Sequence, residues 1–189
     1  MAPVILRSER LILRPWRDSD LPLIARMHAD PRVMEFMPSC LDRAASDAVV
    51  AHLQAGIETQ GFGFWAVTAI DVADFIGFVG LNRPRFAAPF MPCVEVGWRL
   101  AHEYWGRGYA TEAAQAALHF GFEELALAEI VSFTATINER SQRVMQRLGM
   151  THFRAEDFDH PAVAEGDRLR RHVLYRLSRD RWQSLLRQD

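Results

Sequence analysis

Apolar positions along the chain recur with two spacings, and the switches between them outline its elements. Leu11-Ile12-Leu13 continues an extended opening segment that stops at Pro15. Asp18 to Ala29 changes to helical spacing, with Leu21, Ile24 and Met27/His28 on one face and acidic and serine caps at its start. Pro22 falls in its first turn, where a missing N–H does no harm, and Pro31 ends it. Arg43 to Glu58 reads as a second helix, with Ala45, Ala48/Val49, Leu53 and Ile57 on its stripe. Phe64 to Ile70 and Phe75 to Leu81 are β-rich runs around Asp71-Val72-Ala73-Asp74, which reads as a hairpin turn. A loop rich in proline and phenylalanine, Arg83 to Pro92, leads into a strand over Val94 to Leu100.

The next helix, Ala110 to Leu125, carries a stripe of mostly small residues: Ala110, Ala113/Ala114, Ala117/Leu118, Gly121 and Leu125. Small side chains let a helix lie close against a sheet. Glu129 to Thr136 is β-branched and apolar, hence a strand. Asn138 caps a short helix that ends near Gly149, a C′ glycine. Thr151 to Phe158 and Leu169 to Leu177 bracket a loop, and Ser178 starts a terminal helix carrying Trp182, Leu185 and Leu186. The order βααβββαβαβ is mixed α/β without internal repeats or a linker, which reads as a single domain over residues 1–189.

Composition narrows the function classes. With 189 residues and 49% hydrophobic content there is material for a real core. A formal net charge of −2 argues against a nucleic-acid-binding surface. No apolar run approaches membrane-spanning length and Met1-Ala2-Pro3-Val4 lacks a signal-peptide pattern, so neither membrane nor secretion is expected. Cys40 and Cys93 are too few and too far apart for a disulfide framework, which fits a reducing cytoplasm. The seven histidines have no ligand spacing to one another, so no metal is expected. All 22 basic residues are arginines, as codon bias in a GC-rich bacterium gives.

The chemistry concentrates at Trp105-Gly106-Arg107-Gly108-Tyr109-Ala110-Thr111, between the strand ending at Leu100 and the alanine-rich helix. Two glycines let the backbone turn tightly and approach a ligand. The first-turn amides and the helix dipole then offer a seat for a phosphate or pyrophosphate, to which Arg107 could add a charge-assisted contact. Taken alone, the same residues also describe a Gly-capped surface turn. Other phosphate motifs fit less well. There is no Gly-Lys-Ser/Thr ending, and Gly61-Phe62-Gly63-Phe64-Trp65-Ala66 precedes a strand where a dinucleotide fingerprint should follow one.

Three blocks occur in order: Val94-Glu95-Val96-Gly97-Trp98, then Tyr104 to Ala113, then Asn138-x-x-Ser141-x-x-Val144-x-x-Arg147-Leu148-Gly149-Met150. Together they resemble the GNAT superfamily of acetyl-coenzyme A-dependent N-acetyltransferases. Within it, they and the opening Leu11-Ile12-Leu13-Arg14-Pro15-Trp16 are most similar to the branch of the bacterial ribosomal-protein N-terminal (alanine/serine) acetyltransferases. The likeness covers nearly the whole chain. Many members begin the pyrophosphate loop with Gln or Arg where Trp105 stands here, a mark shared by closer relatives of the branch. The resemblance implies a central, mostly antiparallel twisted sheet with helices on both faces. It also implies a splay of the strand carrying Trp98-Arg99-Leu100, whose free backbone groups pair with the pantetheine arm. Amides from Gly106 to Thr111 would hold the pyrophosphate of acetyl-CoA, and the Asn138 amide would touch the pantetheine.

Acetyl transfer to an amine needs a neutral nitrogen, a polarised thioester carbonyl and a stabilised departing thiolate. A primary alkyl amine has a pKa of ~10, so a base is required at neutral pH. Glu95 is the first candidate, in an apolar strand that could raise its affinity for a proton; its alternative is a carboxylate on a solvated strand face. Glu103 and Glu112 are weaker alternatives, explained adequately by capping and exposure. Ser141 is the only hydroxyl between Asn138 and Gly149, hence the candidate donor to the thiolate; its alternative is a polar residue in a helical first turn. A carboxylate-rich loop, Glu156-Asp157-Phe158-Asp159 and Glu165-Gly166-Asp167 with no arginine between, would attract a cationic amine or a basic peptide N-terminus if it overhangs the acceptor groove. Otherwise it is solvated loop. Met34 to Pro38 and Arg83 to Pro92 would be apolar walls of that groove or covers for the core. A non-catalytic CoA-binding sensor would need the glycine turn but neither Glu95 nor Ser141, and an enzyme of another nucleotide would ignore CoA. The acceptor and the choice between monomer and homodimer stay open.

Overall fold

A computed structural model of the chain describes residues 4–187. It is a mixed α/β structure with mostly antiparallel strand pairing, and it falls into two compact units. The first comprises the chain up to Asn82 together with Gly97–Ala117; the second comprises Arg83–Val96 and the chain from Leu118.

In the first unit, β1 (Leu6–Arg7) and β2 (Leu11–Arg14) form an antiparallel pair, and β2 continues onto β3 (Phe64–Ala69) and β3 onto β4 (Ala73–Asn82). The turn between β3 and β4 is the hairpin read from Asp71 to Asp74, with Asp71 at φ 59°. The end of β5 (Glu95–Leu100) follows β4, where Ala101 N donates to Ile76 O at 2.9 Å. Helices α1 (Leu21–Ala29) and α2 (Arg43–Gln60) bury an aromatic-rich core of Trp16, Ile24, Met27, Val50, Ala66, Phe75 and Phe78. The acidic caps expected on α1 serve another purpose. Asp18–Asp20 is a 3-10 turn, and the Asp20 side chain accepts from Arg17 N and forms a two-point ion pair with Arg14, with both charged residues almost wholly buried. Helix α3 (Tyr109–His119) starts in this unit.

In the second unit, Glu95 opens β5, one residue later than the sequence suggests, and pairs in parallel with Val131 of β6 (Glu129–Ala135). Strand β9 (Arg171–Ser178) runs antiparallel to β6 over seven register pairs. Two-residue strands β7 (Thr151–His152) and β8 (Phe158–Asp159) join β9, separated by a 3-10 turn. The α-helix expected to reach Leu125 instead gives way at Phe120 to a single π turn, Phe120–Glu124, closed by Leu125 N to Phe120 O at 3.1 Å. The wider turn lets Phe120 and Phe122 both bury, and Phe122 stacks on Trp182 of α5 (Arg179–Leu186) at 5.6 Å. Between β6 and β7, α4 (Glu139–Arg147) carries the expected Asn138 N-cap, with Gly149 left-handed just past its end. The Arg83 to Pro92 loop is a core cover: Phe86 and Phe90 pack on Phe133 and Phe158 beside Val131 and Leu174.

Candidate functional site

The glycine turn has the form the sequence suggests, and its geometry explains its residue choice. Gly106 and Gly108 lie at φ 73° and 82°, in the left-handed region that a Cβ disfavours. Space is not the reason for glycine at 106, where an added Cβ meets nothing within 4 Å. Glu112 N is the first amide of α3 to find its helical acceptor, Gly108 O at 3.0 Å. The amides of residues 106 to 111 have no acceptor among the described residues, and 106 to 108 are exposed. Consecutive unpaired amides in an alternating turn at a helix N-terminus form a concave anion receptor.

The neighbours of this turn hold it and add charge. Trp105 Nε1 donates to Leu100 O at 2.8 Å and its ring lies 4.9 Å from His102, so the residue standing in the place of Gln or Arg fastens the turn to the end of β5. Glu112 accepts from Ser8 Oγ and Arg10 N at 2.8 Å each and pairs with the Arg10 guanidinium. These partners hold its carboxyl below the usual range, against a desolvation that pushes it up, so it is a structural anchor and a poor base at neutral pH. Arg10 itself lies 4.9 Å over the Tyr109 ring, with Nη2 3.4 Å from where a Cβ on Gly108 would stand. Arg10 is thus a cation beside the turn that sequence reading missed. The only local signal was Glu112 in the helical first turn, the carboxylate that draws it there from 102 residues away. Arg107 is exposed and lies 5.9 Å over the Tyr104 ring. Half-buried Trp98 and Arg99 lie on β5 before Leu100; Ala110 and Thr111 are half-buried in the first turn of α3.

In the second unit the structure brings Asn138 and Ser141 into direct contact. Asn138 Oδ1 accepts from Ser141 N at 3.2 Å, while Nδ2 donates to Thr134 Oγ1 at 2.9 Å and to Ser141 Oγ at 3.2 Å. The Asn138 side chain is therefore committed to the protein. Because it occupies a lone pair of Ser141 Oγ, the hydroxyl proton is left to donate outward from a half-buried position. Glu95 is half-buried near Cys93, whose thiol is pushed up to about 11 by burial first and then by the Glu95 charge. Cys93 is accordingly a protonated thiol at neutral pH, unsuited to form an acyl-cysteine.

Part of the acidic loop is paired. Glu156 bonds to Arg176 at 2.9 Å, Asp157 to His152 at 2.7 Å, and Asp159 contacts Arg170 and Arg171 at 3.5 and 3.2 Å. No arginine stands between the clusters in sequence, yet β9 and the residue before it bring three of them alongside. Glu165 and Asp167 have no cationic partner among the described residues, so pairing reduces the loop's acidic field without removing it.

Residues 10–151 match the model of the acetyltransferase (GNAT) domain. The chain belongs to the GNAT acetyltransferase family. Members of the family use acetyl-CoA, and this chain is an acetyl-CoA-dependent acetyltransferase. It is similar to an FsC-acetyl coenzyme A-N(2)-transacetylase from Aspergillus fumigatus, 30% identical over 191 residues that span 94% of this chain and 77% of that protein. It also resembles the solved acetyltransferase from Agrobacterium tumefaciens, at 30% identity and a TM-score of 0.73 over 94% of this chain and 95% of that one. A ribosomal-protein-S5-alanine acetyltransferase from Vibrio fischeri superposes with a TM-score of 0.72 at 22% identity, covering 95% and 98% of the two chains. That last likeness is one of fold, and the ribosomal-protein branch is one GNAT neighbour among many. No helix among the described residues is long and apolar enough to cross a membrane.

Proposed function

We propose that this GNAT protein moves the acetyl group of acetyl-CoA to a primary amine by direct attack of the nitrogen on the thioester. The observation that carries the reading is the run of unpaired amides from Gly106 to Thr111, fixed by two left-handed glycines and flanked by Arg10. Those amides take the pyrophosphate, and the main chain of Trp98, Arg99 and Leu100 takes the pantetheine. Leu100 O, already bonded to the Trp105 indole, is the fixed end of that stretch.

The chemistry then follows from the second set of residues. Glu95 accepts the proton that the amine must lose, directly or through water, as its nitrogen bonds to the acyl carbon. The C–S bond breaks, and Ser141 donates a hydrogen bond to the developing thiolate, its oxygen held by Asn138 Nδ2. A hydroxyl is a weak acid, so this is charge stabilisation ahead of protonation by solvent. The protonated Cys93 argues for direct transfer over an acylated enzyme.

The test is thiol release from acetyl-CoA with a panel of small amines and peptide N-termini. Glu95→Gln is expected to lower kcat by about 100-fold or more, with acetyl-CoA affinity nearly kept. A mutant with wild-type rates across pH removes Glu95 from the mechanism. Stabilisation by CoA without thiol release for any amine would leave a CoA-binding module in place of the enzyme.

A further inference from the structure

Two inward-facing arginines of the first unit are treated very differently. Arg14 has the bonding of a structural cation: both Nη atoms pair with Asp20 at 2.8 Å, and its other N–H groups reach Thr68 Oγ1, Pro15 O and Asp74 O. Arg99 has no carboxylate partner among the described residues. Its Nη1 lies 3.1 Å from His28 Nε2, its Nη2 lies 2.7 Å from Met37 Sδ, and its guanidinium stands 5.3 Å over the Phe78 ring. Every one of these partners is neutral. Burial alone pulls Arg99 down to about 10.

The arrangement orients this cation without neutralising it. A guanidinium has no acceptor, so His28 Nε2 must receive its proton and His28 must be the neutral Nδ1–H tautomer. That Nδ1–H then donates to Ser46 Oγ at 2.9 Å, and both His28 and Ser46 are fully buried. Helices α1 and α2 thus commit two interior polar residues to aiming one arginine. A thioether is a poor stand-in for a counter-ion, because sulfur accepts weakly and Met side chains move readily. Met37 sits in a turn tied by Met37 N to Met34 O at 2.9 Å and by Leu41 N to His28 O at 3.0 Å, with Pro38, Ser39 and Cys40 exposed between. The Nε–H of Arg99 meets no acceptor among the described residues, which leaves a fork edge for a planar anion.

Resting on the acetyl-transfer reading, we infer that Arg99 seats a carboxylate carried by the amine acceptor, which displaces the Met37 sulfur. A single guanidinium with no second cation bonded beside it suits a monoanion better than a phosphate dianion.

The experiment uses ω-amino acids of increasing length (glycine, β-alanine, 4-aminobutyrate, 6-aminohexanoate), each against its own carboxamide. The readout is kcat/KM for thiol release by the wild type, Arg99→Lys and Arg99→Met. At least one acid is expected to exceed its amide about tenfold or more in the wild type. That ratio is expected to shrink in Arg99→Lys and fall to about one in Arg99→Met. Because the ratio is internal to each variant, a change in overall activity does not blur it, and stabilisation by CoA reports that each variant is folded. Equal rates within every pair, no acid turned over above the enzyme-free rate, or a ratio that survives Arg99→Met overturns the inference. Thiol release with neutral amines alone would sink the carboxylate seat and leave the transferase reading standing.

Discussion

Gly106 and Gly61 offer a direct test of why the turn holds glycine. Both are left-handed, at φ 73° and 77°, and at both an added Cβ meets nothing within 4 Å. Replacing either with alanine therefore adds the same intrinsic cost, about 1–2 kcal/mol for an L-residue in that region. Where the cost appears depends on what holds the backbone. Gly61 closes α2, its N–H bonded to Ile57 O at 2.9 Å, so the folded state cannot relax without losing a helix cap. The Gly106 amide has no acceptor among the described residues, so an alanine there can relax in the free protein and must be forced back when the amides close on a pyrophosphate.

Gly61→Ala is expected to lower the free protein's Tm by about 2–8 °C, taking ~2–4 °C per kcal/mol for a domain of this size. Its acetyl-CoA affinity should be unchanged. Gly106→Ala is expected to do the reverse: little loss of Tm, and an affinity about 5- to 30-fold weaker, the same 1–2 kcal/mol moved into binding. With acetyl-CoA at about 100 times the wild-type Kd, the wild type gains roughly 2.7 kcal/mol, and a tenfold weaker mutant about half of that. Thermal shift with and without the ligand reads both quantities in one experiment. If Gly106→Ala binds like the wild type and loses Tm as Gly61→Ala does, the turn is a surface cap and the pyrophosphate lies elsewhere.

Other outcomes follow from single contacts. Ser141→Ala is expected to slow acetyl transfer by about tenfold or more, the loss of a hydrogen bond to a charged group, with KM for acetyl-CoA retained; an unchanged chemistry-limited rate dismisses that role. Asp20→Asn should cost about 3–5 kcal/mol in urea unfolding, because it strands the buried Arg14 charge; a loss below about 1 kcal/mol would mean water compensates Arg14. Burial and then Arg99 hold His28 near 4, whereas an unfolded imidazole titrates near its ordinary 6.5. Between those values the unfolded chain binds the extra proton, so the contribution is full above about 6.5 and falls with pH, losing roughly 3 kcal/mol by pH 4. Urea titrations from pH 4 to 7 should show that slope flattened in His28→Gln, and an equal slope in the variant would assign it to other groups.

The division between what could and could not be read from sequence is one of range. Asn138 and its Ser141 contact, the left-handed glycines at 106, 108 and 149, and the hairpin at Asp71 are fixed by neighbours within a few residues, and periodicity with turn chemistry suffices for them. The charged contacts are the ones that local sequence does not show. Arg10 reaches Glu112 across 102 residues, Arg176 reaches Glu156 across 20, and Arg99 meets His28 across 71. Local sequence shows a carboxylate cluster as a field, whereas the folded chain shows which members are cancelled by a strand arriving from elsewhere. That cancellation changes the functional reading. With Glu156 and Asp159 occupied by β9 and its approach, Arg99, held between a neutral imidazole and a thioether, is a further place where charge stays uncompensated. An acceptor chosen there is selected for its negative group, the opposite sign from the one the acidic loop suggests.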